Sequence, residues 1–410
     1  MFYHAIHQKL KEAFDLDQTS IELTELNLKM TNHEIESDSA ENLLNGSKKL
    51  DCKKHQYNFN ETDSANALFG NCAVDICDDE IKNNQKFTYT ILQRLDGEKA
   101  DGAILFFHGL NEKKWDKYLP WAYELAQKTN KAIILFPIAF HMNRAENVWS
   151  DRRKMVEVSK MRMKNNRDNT DSSFVNAAIS ARLEAYPQRV FWSGFQTYSD
   201  TIKLVNQIRN GEIDEIKSSA KLDLFGYSIG SFLSIILMMA NPKEIFSNSK
   251  LFCFCGGMTI DRMFPISKYI MDSKAAITMQ TVFAELLRTN FKNDSRLGHF
   301  QSPELHQEES WFKMMLRYNY FQKEREARLN ELQNQIKAYV LEKDEVAPPI
   351  EALNTLQGGY RNMKTEVEIM DYDFDYSHMV PFPLTKKNEV EIAQAFDHFI
   401  HSATEFYLRN

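Results

Sequence analysis

The sequence GYSIG places Ser228 between Gly226 and Gly230, at the junction of two apolar segments. The segment before the junction, 221–228, is predicted as a strand, and the segment after it, 229–240, as a helix. The two glycines leave room for a tight strand-to-helix turn that lifts the serine hydroxyl above the edge of a sheet. The N-terminus of the helix adds positive potential where an oxyanion would form. This context favours a nucleophilic serine over a glycine-rich turn with a bystander serine.

A serine hydroxyl is a poor nucleophile unless a base takes its proton. His378 follows the segment 365–371, which is predicted as the last strand. A loop after a final strand can bring an imidazole to the nucleophile, so we predict His378 as the base. The alternative is a lone surface histidine. The other downstream histidines lie in the closing amphipathic helix or in an insertion away from strand ends: His398, His401, His299 and His306.

The base in turn needs an acid that fixes its tautomer and stabilises the imidazolium. Asp344 ends the predicted strand 336–344 and precedes a predicted helix at 348–357. Because it lies at the turn, we predict Asp344 as this acid. Its competitors are two neighbours in the chain and two carboxylates nearer to the predicted base: Glu342, Glu345, Asp371 and Asp375.

An oxyanion would need two backbone N–H donors. One is predicted to be the N–H of Ile229, directly after the serine. The other is expected from the loop FFHGLN, as the N–H of Leu110 or of Asn111. Gly109 lets this loop approach a substrate closely. His108 is predicted to be a structural hydrogen-bonding residue rather than a second base.

Alternating strands and helices position these residues, and they predict an α/β fold with a mostly parallel central sheet flanked by helices. The predicted strands are 87–94, 103–109, 132–138, 221–228, 250–257, 336–344 and 365–371. The predicted helices are 3–15, 115–129, 172–186, 196–210, 229–240, 348–357 and 388–408. The polar residues 30–66 are predicted to be loop or partly disordered surface.

Two connections are too long to be simple crossovers, so each must carry structure of its own. They are residues 139–220 and residues 258–335. The second is helical in pattern and rich in Met and Phe, which predicts a lid over one end of the sheet. We therefore divide the chain into an N-terminal extension, 1–85, and a main domain, 86–410, that contains both insertions.

The composition limits the partners of the chain. With 50 basic and 57 acidic residues among 410, the net charge is −7, so a global basic surface for nucleic acid is absent. The sequence contains no run of 18 apolar residues, so it predicts no membrane-spanning helix. The N-terminus lacks the apolar core of a secretory signal, and we expect a cytoplasmic protein. The oligomeric state is left open.

The cysteines and one basic segment have two interpretations each. Cys253 and Cys255 alternate in an apolar segment and are expected to face the same side of a strand. We favour buried small hydrophobic residues over a metal pair, and no metal or other cofactor is predicted. The segment 150–167 carries seven basic residues. A solvated helix face is favoured there over a phosphate or anionic-ligand site.

The chain resembles the α/β-hydrolase superfamily, and within it an uncharacterised bacterial hydrolase family. The segments that carry the likeness are AILFFHGL, LFGYSIGS, VLEKDEVAPP and DYSHMVPF. These segments contain Ser228, Asp344 and His378, which follow one another along the chain in the superfamily's order of serine, acid and histidine. The resemblance implies an eight-stranded sheet, and a cap between the sixth and seventh strands, where 258–335 lies.

The resemblance also implies an activity. It implies a serine esterase or lipase that cleaves a carboxylic ester of a small molecule through an acyl-enzyme on Ser228. A peptidase or thioesterase of the same fold, and a non-catalytic binding protein, are the alternatives. The fold does not name the substrate.

Overall fold

Nine strands form one mixed sheet in a computed structural model that describes residues 3–38, 51–59 and 74–409. Numbered along the chain, the described strands are β1 (Ser20–Leu23), β2 (Leu28–Glu36), β3 (Asp51–Cys52), β4 (Tyr57–Asn58), β5 (Lys86–Arg94), β6 (Ala100–Phe107), β7 (Ala132–Leu135), β8 (Ile216–Tyr227), β9 (Leu251–Phe254), β10 (Ile336–Leu341) and β11 (Glu366–Met370). The spatial order is β1-β2-β5-β7-β6-β8-β9-β10-β11, and β3 and β4 form a separate two-stranded sheet.

The strands β6 to β11 run parallel, whereas β5, β2 and β1 add in antiparallel orientation at one edge. With helices on both faces, this is the α/β-hydrolase fold, and the predicted fold class is confirmed. The sheet has nine strands rather than the eight implied, because β1 pairs along β2 with Ser20 opposite Thr31.

Helices cover both faces of the sheet. They are α1 (Tyr3–Ala13), α2 (Lys82–Gln85), α3 (Leu119–Thr129), α4 (Arg152–Asn165), α5 (Ala177–Ala185), α6 (Arg189–Arg209), α7 (Ile229–Ala240), α8 (Ser273–Arg288), α9 (Ser295–Phe300), α10 (Gln322–Glu331), α11 (Pro349–Leu356) and α12 (Glu389–Leu408). The helices α1, α3 and α12 pack together on one face, while α6 and α7 pack against β8. Successive residues of β6 face opposite sides of the sheet. Ile104 and Phe106 belong to the hydrophobic core on one side, and Leu105 and Phe107 belong to the core on the other side. No helix in the described part of the chain has the length and apolar character needed to cross a bilayer.

Both long connections are helical. The first holds α4, α5 and α6, and the second holds α8, α9 and α10. They pack on each other through α5 and α8. Arg162 of α4, buried, makes two hydrogen bonds to Asp272 at 2.6 and 2.8 Å and an ion pair with Glu184 at 2.8 Å. The predicted solvated face of 150–167 therefore excludes Arg162, which joins the two insertions.

Two local expectations are wrong. Residues 30–36, predicted as loop, belong to β2, because their half-buried pattern suits a strand near the sheet edge. Within the same predicted loop, Asp51–Cys52 and Tyr57–Asn58 form β3 and β4, while residues 39–50 and 60–66 lie outside the described part of the chain. Cys253 and Cys255 face opposite cores, because β9 ends at Phe254 and Cys255 takes a left-handed backbone conformation, φ 47°.

Candidate active site

Ser228 sits in a strained turn between β8 and α7. Its φ is 56° and its ψ is −118°, a conformation that non-glycine residues rarely adopt. A Cβ on Gly226 would lie 2.5 Å from the backbone of Ser231, and a Cβ on Gly230 would lie 2.3 Å from the carbonyl oxygen of Phe107. The two glycines are therefore required where the strand and the helix press together, and the packed backbone holds the serine in its strained conformation.

Three predicted side chains meet at this turn in one hydrogen-bonded chain. Ser228 Oγ lies 2.8 Å from His378 Nε2. On the other side of the ring, His378 Nδ1 lies 2.7 Å from Asp344 Oδ2. All three side chains are buried, so little water competes for these hydrogen bonds. A serine hydroxyl within reach of an imidazole, which is oriented by a carboxylate, is the arrangement that activates an oxygen nucleophile.

Asp344 is held by its own surroundings. Its Oδ1 accepts hydrogen bonds from the backbone N–H groups of Val346 and Ala347, both at 2.9 Å. Cys255 Sγ lies within 4.8 Å of this carboxylate. Burial and the nearby carboxylate raise the pKa of Cys255 well above its ordinary value, so the thiol stays protonated beside Asp344.

The competing residues lie elsewhere. Asp371 pairs with Lys343 at 2.7 Å and accepts a hydrogen bond from Tyr376 at 2.8 Å, at the protein surface. His398 pairs with Glu368 at 2.7 Å on the closing helix. His299 and His306 belong to a separate cluster, while the His378 ring hydrogen-bonds to Ser228 and Asp344 rather than to Glu342 or Asp375.

Tyr227 is a site residue that sequence reasoning missed. Its hydroxyl donates to the backbone carbonyl of His378, and its ring stacks on the imidazole with centroids 5.4 Å apart. Lys117 Nζ lies 4.4 Å from the centroid of the Tyr227 ring and pairs with Glu112. The only signal in the sequence is position, because Tyr227 directly precedes the serine.

The loop after β6 lies beside Ser228, and Leu110 and Ile229 both line the same cavity as the serine. In the described part of the chain, neither residue's backbone N–H donates a hydrogen bond. The N–H of Gly109 instead donates to Tyr118 at 2.9 Å. A Cβ on Gly109 would lie 3.0 Å from the Tyr227 ring, so this glycine makes room for a side chain as well as facing the cavity.

The remaining residues of the loop are structural. His108 Nδ1 lies 2.8 Å from the carbonyl oxygen of Gly109, and its Nε2 accepts the N–H of Ile138 at 2.9 Å. Burial lowers the pKa of His108 well below its ordinary value, so the ring is neutral with both nitrogens occupied. Asn111 donates from its side chain to the carbonyls of Val175 at 3.1 Å and Tyr269 at 2.8 Å, which ties the loop to both insertions.

A cavity of about 140 Å³ opens onto Ser228 and His378. Its walls come from the core and from both insertions, and they are mainly apolar, including Leu183, Val190, Phe232, Met271, Met279 and Phe312. Two arginines reach the lining, Arg182 and Arg189. Both pair with the buried carboxylate of Asp78. The lining also contains Glu112, which pairs with Lys117, and Lys113, whose Nζ donates to the carbonyl of Trp149 at 3.0 Å.

The chain belongs to DUF6051, a family of unknown function, whose model matches residues 1–408. Comparison with curated protein sequences gives no match. Among solved structures, the chain is similar to carboxyl esterase 2 from the mycorrhizal fungus Tuber melanosporum, with 12% identity, a TM-score of 0.43, and coverage of 79% of this chain and 82% of that one.

Two further solved structures are similar. A thermostable esterase from Pseudomonas putida has 12% identity and a TM-score of 0.39, with 80% of each chain covered. A peroxisomal α/β-hydrolase from Saccharomyces cerevisiae has 12% identity and a TM-score of 0.38, with 94% of this chain and 92% of that one covered. The assignment of the fold rests on the strand order described above.

Proposed function

We propose that this protein is a serine hydrolase that cleaves a carboxylic ester of a small molecule through an acyl-enzyme on Ser228. The observation that carries the proposal is the buried hydrogen-bonded chain of Ser228, His378 and Asp344 at one end of an apolar cavity. A bystander serine would not need a strained backbone, a base at 2.8 Å and an acid behind that base.

In acylation, His378 Nε2 takes the proton of Ser228 while Oγ attacks the ester carbonyl carbon. The carbonyl oxygen becomes an oxyanion, which accepts hydrogen bonds from the N–H groups of Ile229 and Leu110. Asp344 stays ionised and stabilises the imidazolium. When the tetrahedral intermediate collapses, the bond to the leaving alkoxide breaks, and His378 gives that oxygen its proton.

Deacylation repeats these steps with water. His378 takes a proton from a water molecule, whose oxygen attacks the acyl carbon bound to Ser228. When the second tetrahedral intermediate collapses, the bond between the acyl carbon and Ser228 Oγ breaks, His378 returns its proton to Oγ, and the carboxylic acid is released. The hydrogen bonds that hold Asp344 keep its second oxygen toward the imidazole throughout the cycle.

The lining of the cavity favours an apolar acyl group. Aliphatic and aromatic side chains from both insertions surround the space next to Ser228. The charged groups of the lining already have partners: both arginines pair with Asp78, Glu112 pairs with Lys117, and Lys113 donates to the carbonyl of Trp149. A peptidase or a charged thioester substrate would need free polar groups to pair with the substrate, because unpaired polar groups are costly to bury. An uncharged ester therefore suits this cavity best, and the second insertion acts as its lid.

Labelling with a fluorophosphonate followed by peptide mass spectrometry tests the nucleophile, because the reagent reacts rapidly with an activated serine. We expect an adduct on the peptide that contains Ser228, and none in the Ser228→Ala variant. Esters of graded acyl length then report the preference of the cavity. Folded protein that takes up no label, even from the smallest organophosphorus fluoride, would favour a non-catalytic binding protein instead.

A further inference from the structure

Four side chains outside the candidate active site converge on one point. They are Cys52 and His55 of the β3–β4 hairpin, and His299 and His306 of the second insertion. One ligating atom from each side chain lies within 4.8 Å of those of the other three. The pairs come from segments more than 240 residues apart, so the fold rather than local sequence brings them together.

Three of the six distances among these four atoms match a tetrahedral metal site, and all six are within 4.8 Å. Cys52 Sγ lies 3.3 Å from both His55 Nδ1 and His306 Nε2, and His55 Nδ1 lies 3.3 Å from His299 Nε2. A zinc ion bound at about 2.0–2.1 Å from nitrogen and about 2.3 Å from sulfur separates its ligand atoms by about 3.3 to 3.6 Å. The measured distances lie at the lower end of this range.

The surroundings of the cluster orient its ligands. Cys52 and His306 are buried, while the other two imidazoles lie toward the surface. Glu309 Oε2 lies 3.3 Å from His306 Nδ1, the nitrogen that faces away from the cluster. A carboxylate behind a ligating histidine is a usual partner in zinc sites, because it fixes the tautomer and the direction of the ring. Tyr57 stacks on the ring of His299 with centroids 5.4 Å apart.

We propose that Cys52, His55, His299 and His306 bind one zinc ion in a closed tetrahedral site that fastens the β3–β4 hairpin to the second insertion. One thiolate and three imidazoles suit zinc, whereas magnesium and calcium need oxygen ligands. Because all four positions are protein ligands, none is left for a substrate, and the role is structural.

The hairpin gives a physical reason for such a site. Among the described residues, its two strands contain two residues each and pair with each other alone. A two-stranded hairpin of this size is not stable alone. Besides the cluster, Lys54 Nζ donates to the carbonyl of Leu305 at 3.2 Å. A metal that joins both sides supplies the missing cross-link.

Metal content tests the site without any activity measurement. The full chain is stripped with a chelator, reloaded with zinc and dialysed, and metal is measured by plasma mass spectrometry. We expect about one zinc per wild-type chain, and loss of nearly all of it in the Cys52→Ala/His306→Ala variant. The matched control, Cys77→Ala/His401→Ala, removes an exposed cysteine and an exposed histidine and should keep its zinc. Equal zinc in the cluster variant and the wild type would overturn the proposal.

Cobalt provides a readout that does not depend on whether a variant folds. Wild-type protein reloaded with Co²⁺ should show the intense visible bands of tetrahedral cobalt and a thiolate-to-cobalt band in the near ultraviolet. Octahedral cobalt bands, or no thiolate band, would refute the site. Glu309→Gln should weaken zinc binding by about 10- to 100-fold, because it removes the charge behind His306. The same measurements on Ser228→Ala should give wild-type values, so the zinc site and the hydrolase can fail separately.

Discussion

The substitution Asp344→Asn isolates the role of the acid, because the structure dictates how the new amide must sit. Asp344 Oδ1 accepts the backbone N–H groups of Val346 and Ala347, both at 2.9 Å. The amide oxygen must keep this position, since an NH₂ group there would leave one buried and one partly buried N–H donor unsatisfied, at about 1–3 kcal/mol for the buried one. The NH₂ group then faces His378 Nδ1, which lies 2.7 Å from the present Oδ2.

An amide donor at that position reverses the tautomer of the base. The imidazole must accept at Nδ1, so its proton moves to Nε2, the nitrogen that lies 2.8 Å from Ser228 Oγ. A protonated Nε2 cannot take the serine proton. We expect kcat to fall by about 10,000-fold, as wrong-tautomer variants of serine triads do. This corresponds to about 5 kcal/mol of lost transition-state stabilisation.

The assay is steady-state hydrolysis of the best ester found by screening, with thermal unfolding measured in parallel. We expect kcat and kcat/KM to fall together and the unfolding midpoint to stay near the wild-type value. Asp371→Asn is the matched control, because this carboxylate contacts Lys343 and Tyr376 rather than the base. A kcat for Asp344→Asn within tenfold of wild type, or an equal loss in the control, would refute the assignment of the acid.

Three further predictions concern the turn, the insertions and the cavity. Gly230→Ala should prevent fluorophosphonate labelling or folding, since its Cβ would lie 2.3 Å from the carbonyl oxygen of Phe107; normal labelling of a folded variant would contradict this. Arg162→Met should lower the unfolding free energy by about 3–5 kcal/mol near neutral pH, because it leaves the buried carboxylate of Asp272 without its arginine partner. Burial raises the pKa of Asp272, but hydrogen bonds from Arg162 outweigh burial, and the net effect is a lowered pKa. The stabilisation by this pair is therefore complete above about pH 4 and is lost as the pH falls through the lowered pKa. A difference in unfolding free energy between wild type and variant that does not shrink below about pH 4 would contradict this. Val190→Trp narrows the cavity and should reduce kcat/KM for esters of long acyl chains by about 10-fold or more, while kcat/KM for acetate esters stays at the wild-type value. A series of esters of increasing acyl length measures this change.

The strand-to-helix turn could be predicted because its signal is local. The apolar segments before and after Ser228 are contiguous, and the structure ends β8 at Tyr227 and begins α7 at Ile229. Asp344 and His378 could be predicted because parallel strands bring their carboxyl ends to one edge of the sheet. Position favours Asp344 over Glu342, because Asp344 lies at the turn after the strand, and it favours His378 over His398, because His398 lies in the closing helix. The structure ends β10 at Leu341 and places His398 in α12.

The supporting residues had no comparable signal. Strict alternation along the strand would place Cys255 on the same face as Cys253. The chain instead turns at Cys255, where φ is 47°, and this turn brings Cys255 close to Asp344. Residues 28–36 alternate polar and apolar side chains weakly, because β2 lies second from the edge of the sheet and is only half-buried. In both cases the tertiary arrangement decides what the local pattern leaves open.

The cysteine–histidine cluster was hidden for a related reason. His299 and His306 lie away from strand ends, which argues against a role as catalytic base, and a zinc site is recognised in a sequence mainly by closely spaced pairs of ligands. Their partners, Cys52 and His55, lie near the other end of the chain, so only the fold brings the two pairs within reach of one metal.

The position of the cluster also limits what the metal can do. His306 packs on Phe300, with ring centroids 4.5 Å apart, Phe300 contacts Phe195, and Phe195 packs on Phe312 in the wall of the cavity. The cluster thus supports the cavity wall through a row of aromatic rings and makes no contact with the Ser228–His378–Asp344 chain. Removing zinc from folded protein should therefore relax the selection of acyl length before it slows the labelling of Ser228. Loss of labelling with an unchanged acyl preference would show that the metal acts on the nucleophile by another route.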